Sequence, residues 1–124
     1  MLFEQGLISD AEQILHDIEV DLGNGEYNPA KEYFIHLNQG CILYQKRQFE
    51  GSLQRFQQAL QLLEITSPNV FNSKLVYNTA LVHFELSQYQ SAIQCLDRIL
   101  ANAYQSYPSL TQPQSELTTR EILV

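Results

Sequence analysis

Apolar residues return every three or four positions along most of the chain, and the runs break at polar or at glycine- and proline-bearing stretches. In "QGCILYQKRQFEGSLQRFQQAL" (Gln39 to Leu60) an apolar run containing Gly40 gives way to a polar break at Gln45–Gln48. Counted from Gly40, Ser52, Phe56 and Ala59 then stand at +12, +16 and +19. Counted from Ala80, Ala92, Leu96 and Ile99 stand at the same offsets. Phe49 and Tyr89 match at +9, and Asn38 and Asn78 at −2. Two segments therefore repeat at a separation of 40 residues, with small, aromatic, small, large and small-or-apolar slots in one order. A partial copy precedes them. In "EQGLISDAEQILHDI", Ala11, Leu15 and Ile18 keep the spacing of Ser52, Phe56 and Ala59, with Gly6 and Ile8 filling the turn ahead.

This pattern predicts an all-α solenoid of antiparallel helix hairpins, each made of about 13 residues of helix, a short polar turn and about 13 more. Gly40 lies inside the first helix of its pair, where glycine costs roughly 1 kcal/mol relative to alanine. It reads as a contact point: small residues at Gly40, Ser52, Ala80 and Ala92 let the paired backbones approach, and Phe56 and Leu96 reach the neighbouring hairpin. One domain is expected over residues 1–124. Within it, 4–21 is the second helix of a preceding half repeat and 22–32 an acidic Gly/Pro spacer, with Asn28–Pro29 letting a helix start near Ala30. The two full repeats cover 33–66 and 73–106, and Pro68 and Asn72–Ser73 mark the turn and cap between them. Residues 107–124, with Pro108 and Pro113, read as a linker and the start of a next helix.

The slots resemble those of the tetratricopeptide repeat, over residues 33–102 for two repeats and about 4–20 for the half repeat. The chain departs from that pattern at Glu64 and Asn102, where a proline often closes each repeat, and at Ser52, where alanine is usual. A narrower set, Asn38, Gly40, Cys41 and Tyr44, then Tyr77, Asn78, Ala80 and Leu81, then Tyr107, Pro108 and Leu110, resembles the tetratricopeptide subunit family of intraflagellar transport complex B. The likeness weakens after Leu110. It implies a piece of a longer superhelix that closes around a hydrophobic, proline-containing segment of another core subunit. The implied role is scaffolding in cilium assembly, in the cytoplasm or the cilium.

Composition narrows the classes further. With 44% hydrophobic and 17% charged residues in 124, the chain is neither disordered nor membrane-like. No apolar run approaches the roughly 18 residues a bilayer span needs, and the N-terminus lacks the basic region of a secretory signal. Cys41 and Cys95 form no disulfide framework and fit a reducing, cytosolic setting. The net charge of −7 is concentrated: residues 1–32 hold eight acids against Lys31 alone, and the remainder is neutral. Phosphate backbones would be repelled, so nucleic acid is not an expected partner. The acidic segment reads either as a solvated helix face or as a surface for a basic partner.

Chemistry is sparse. His16, His36 and His83 fall on three different helices, and His83, in an apolar stretch, reads as a core or groove residue. Cys41 and His36, five apart, sit on different helix faces and make no nucleophile–base pair. No zinc spacing occurs, and "GNG" at Gly23–Gly25 is no phosphate loop. No enzyme activity, cofactor, metal or small-molecule substrate is expected. Binding is different, because repeat arrays build a concave wall from their first helices. By its resemblance to the repeat, that wall takes Phe34, Leu37, Asn38, Cys41, Tyr44 and Gln45 from one repeat, and Lys74, Tyr77, Asn78, Leu81, Phe84 and Glu85 from the next. The expected ligand is an extended apolar segment of a protein partner, proline-rich in character, with Asn38 and Asn78 holding its backbone. Two alternatives stand beside it: a generic assembly scaffold, and a co-chaperone-type adaptor gripping a C-terminal carboxylate. Glu85, standing where a basic clamp residue would help, opposes the latter. Gln54, Gln57, Gln58 and Gln61 read as a solvated outer face.

Overall fold

The computed structural model describes residues 5–25 and 28–107. Among them are five helices and no strand: α1 (Gln5–Asn24), α2 (Pro29–Gln45), α3 (Phe49–Thr66), α4 (Ser73–Glu85) and α5 (Tyr89–Ser106). Helices α2 and α3 pair as one hairpin and α4 and α5 as the next; α1 lies on α2 as α3 lies on α4. This is the solenoid of two repeats and a leading half repeat that the spacing predicts.

Caps and turns explain the boundaries. Asn28 caps α2, its Oδ1 accepting from the backbone of Ala30 (3.0 Å) and Lys31 (3.3 Å), and Pro29 occupies the first helical position. Helix therefore takes both ends of the stretch 22–32 expected as spacer: α1 runs through Gly23 to Asn24, and α2 starts at Pro29. Ile8, expected in a turn ahead of the half repeat, is likewise inside α1 and buried. Asn72 caps α4 by accepting from Leu75 N (3.1 Å), and its Nδ2 donates to the Tyr33 hydroxyl (2.7 Å), tying the connector to α2.

The two hairpin turns are built alike. Gln48 N–H donates to Leu43 O and Arg47 N–H to Tyr44 O; Gln88 N–H donates to His83 O and Ser87 N–H to Phe84 O. Each is a Schellman closure, which needs a left-handed residue after the helix. Here Arg47 (φ 62°) and Ser87 (φ 61°) take that conformation in place of glycine. Left-handed geometry costs a non-glycine residue roughly 1–2 kcal/mol, partly offset by glycine's greater chain entropy when unfolded. Ser87→Gly is thus expected to raise stability by about 0.5–1 kcal/mol, read as a higher urea midpoint. Arg47→Gly should gain less, since the guanidinium stands 5.5 Å from the Phe49 ring centroid.

The core runs between the helices. Phe56, Ala59, Leu75 and Val82 form the largest cluster; Ile8, Leu15 and Ile42 join α1 to α2; Val76, Ala80 and Cys95 join α4 to α5. Gly40, expected to serve the approach of paired backbones, makes room for a side chain as well. A Cβ placed on it would lie 2.5 Å from Phe56 Cε1 and 2.6 Å from Cδ1, so the position is kept empty for the Phe56 ring. Ser52, fully buried, donates its hydroxyl to Gly40 O at 2.7 Å, which is why a hydroxyl stands in a slot where alanine is usual. Leu96, expected to reach another hairpin, is 42% exposed among the described residues. Of the four glutamines, Gln54, Gln57 and Gln61 are exposed, while Gln58 is half-buried and its Oε1 is out of contact with water.

Candidate peptide-binding groove

Helices α2 and α4 place matching stripes side by side. Leu37, Asn38, Cys41, Tyr44 and Gln45 are half-buried along α2, as are Asn78 and Leu81 along α4; Phe34, Lys74, Tyr77, Phe84 and Glu85 are exposed. Cys41, Tyr44, Gln45, Asn78 and Leu81 converge, with Phe56 at the floor, on one pocket of about 130 Å³. Phe34, Tyr77 and Phe84, on the same two helices, are each about half accessible and add apolar surface. Such large exposed aromatic side chains on one face are what an interaction surface presents.

Aromatic pairs brace the far edge. Tyr44 and Phe49 meet edge to face at 5.4 Å, and Phe84 and Tyr89, forty positions on, repeat the contact at 5.4 Å. Glu85 stands beside the Tyr44 hydroxyl across the two helices. Burial first, and then the Glu85 charge, push the Tyr44 hydroxyl above the ordinary tyrosine range. Burial likewise pushes the Cys41 thiol up, so the pocket thiol is protonated near neutral pH rather than a reactive thiolate. Glu85 thus has a neighbour in the fold in addition to its place on the wall.

The asparagines differ in availability. Asn38 Nδ2 donates to Phe34 O at 2.9 Å within its own helix, leaving its carbonyl oxygen for a ligand. Asn78 makes no hydrogen bond among the described residues and faces the pocket. The histidines are engaged elsewhere. His83 is held at the α4–α5 turn, its Nδ1 2.7 Å from Gln88 Oε1, rather than in the core or the groove. His36 Nδ1 accepts from Arg55 Nη1 at 3.1 Å, with Glu32 at 3.5 Å. Among the described residues no group of three or more His, Cys, Asp or Glu side chains could hold a metal ion, and no helix is long and apolar enough to cross a membrane.

Known proteins with related sequences name the repeat. A tetratricopeptide repeat protein 30 homolog of Drosophila pseudoobscura pseudoobscura is 37% identical over 73 residues, 59% of this chain and 10% of the relative. Intraflagellar transport protein 70A of Bos taurus is 31% identical over 105 residues, 85% of this chain and 14% of the relative. The chain is a tetratricopeptide-repeat protein resembling that transport subunit. A tetratricopeptide repeat protein 30 homolog of Aedes aegypti is 25% identical over 134 aligned positions, reaching 88% of the chain and 19% of the relative. The tetratricopeptide chain therefore spans between about a tenth and a fifth of the length of these relatives. No protein-family model and no solved structure matches it.

Proposed function

We propose that this tetratricopeptide chain is a scaffold segment in intraflagellar transport, holding an extended apolar, proline-containing stretch of a core subunit in the groove between α2 and α4. The observation that carries the reading is the convergence of Cys41, Tyr44, Asn78 and Leu81 on one pocket, with exposed aromatic residues on the same two helices. The names of its relatives supply the setting, intraflagellar transport. Affinity comes from burying side chains, at about 25 cal/mol per Å² of apolar area, with the Asn38 carbonyl and the Asn78 amide available to the ligand backbone.

The competing adaptor reading requires a cationic clamp for a terminal carboxylate, and Glu85 puts a negative charge on the wall instead. Salt separates the two. Synthetic peptides tiled across the core subunits of the transport complex would be titrated against the chain by fluorescence anisotropy. Apolar docking predicts affinities that change less than about twofold between roughly 0.1 and 0.5 M salt, where surface charges are screened. A tenfold loss, or binding only by peptides with a free C-terminus, refutes the groove reading.

A further inference from the structure

Residues 67–72 join the two hairpins, since α3 ends at Thr66 and α4 starts at Ser73. They open on Ser67–Pro68, the one step in the sequence where a serine or threonine precedes a proline; the other prolines follow Asn28, Tyr107 and Gln112. Pro108 and Pro113 belong to the stretch expected as a linker and next helix, and residues 108–124 lie outside the described part of the chain. Proline lacks a backbone N–H, and its ring pushes the residue before it out of the helical region. Ser67 is accordingly extended (φ −145°, ψ 66°) and closes α3. Its carbonyl oxygen accepts from Val70 N at 3.0 Å, so residues 67–70 form a β-turn with proline in the second position.

The serine is open to reaction. Pro68, Asn69 and Val70 are exposed. Ser67 is half-buried, but its hydroxyl makes no hydrogen bond among the described residues and is not cut off from water. Thr66 beside it differs, because its Oγ1 donates to Leu62 O at 2.7 Å. Glu64, Ile65 and Thr66 are all exposed, so the last turn of α3 has little packing to stop it fraying into an extended strand. We propose that Ser67 is a phosphorylation site for a proline-directed protein kinase. Such kinases select a serine whose following residue lacks an N–H. In the transfer, the Ser67 oxygen bonds to the γ-phosphorus of ATP and the bond from that phosphorus to the β,γ-bridging oxygen breaks. ADP leaves, and the hydroxyl proton passes to the kinase's aspartate base. The step lies at the end of α3 away from the hairpin turns and off the α2–α4 wall, so peptide capture and this modification are tested apart.

The 124-residue chain, its Ser67→Ala and Pro68→Ala variants, and a free peptide of residues 60–75 would be incubated with a purified cyclin-dependent kinase and magnesium ATP. Products are mapped by mass spectrometry. Expected is a gain of about 80 Da on Ser67 of the parent, its absence in Ser67→Ala, and a rate at least about tenfold lower in Pro68→Ala. The folded chain should react within about tenfold of the peptide's rate, since only the frayed end of α3 has to open. No phosphate on the parent, phosphate on another residue, or equal rates for the parent and Pro68→Ala overturns the inference. A folded chain slower than that margin overturns it as well, because the serine would then be reached only through wider unfolding.

Discussion

Gly40→Val is expected to cost about 3 kcal/mol of stability, and Gly40→Ala about 1–2 kcal/mol, both read from urea midpoints. The reason is local. The first added carbon would sit 2.5 Å from the Phe56 ring, so a ring that is 1% exposed and packed between the helices must shift to admit it. Alanine recovers about 1 kcal/mol of helix propensity, which valine largely forgoes. The second hairpin has alanine and leucine, Ala80 and Leu96, in the slots that Gly40 and Phe56 fill in the first. Combining Gly40→Ala with Phe56→Leu should therefore restore much of the loss, giving a favourable coupling of at least about 1 kcal/mol in a double-mutant cycle. Additive losses would mean that the ring is not what keeps position 40 bare.

Joint replacement of Tyr77 and Phe84 by alanine is expected to weaken capture of the apolar peptide by about 30-fold, or roughly 2 kcal/mol, while far-UV circular dichroism stays as in the parent. Both side chains are about half accessible, so removing them strips little from the interior and much from the wall. Aromatic anchors carry a disproportionate share of binding energy where they are desolvated by a partner. Tyr44 is the less suitable probe, because its hydroxyl also stands beside Glu85 across the two helices. Parent-like affinity in the double variant, in a peptide titration, would exclude this face as the binding wall.

The helices and their pairing were legible because residue size and spacing recur together. The small slots Gly40 with Ser52 and Ala80 with Ala92 announce which helices pair, and Asn28–Pro29 and Asn72 announce where two of them begin. Length was less legible. Helices α3 and α5 run to 18 residues where about 13 were expected, since neither Ile65 nor the polar residues around it break a helix. The α2–α3 turn was legible as the polar break at Gln45–Gln48, but the closure of the turns was not, because Arg47 and Ser87 adopt a conformation that glycine usually advertises. On the candidate wall, the positions taken from the resemblance to the repeat include Cys41, Tyr44, Gln45, Asn78 and Leu81, which line the pocket, but not Phe56, which lines it too. They could not show that Asn38 already donates within its helix, or that Ser52 bonds to Gly40, because those depend on rotamers rather than spacing.

Because every helix rests chiefly on the helices next to it in the chain, no contact has to wait for a distant partner to be synthesised. Each pair can zip shut as it leaves the ribosome, with the loop-closure entropy of only a few turn residues to overcome. Growth by accretion of this kind lets such a rod be lengthened or shortened by whole hairpins without re-engineering what is already built.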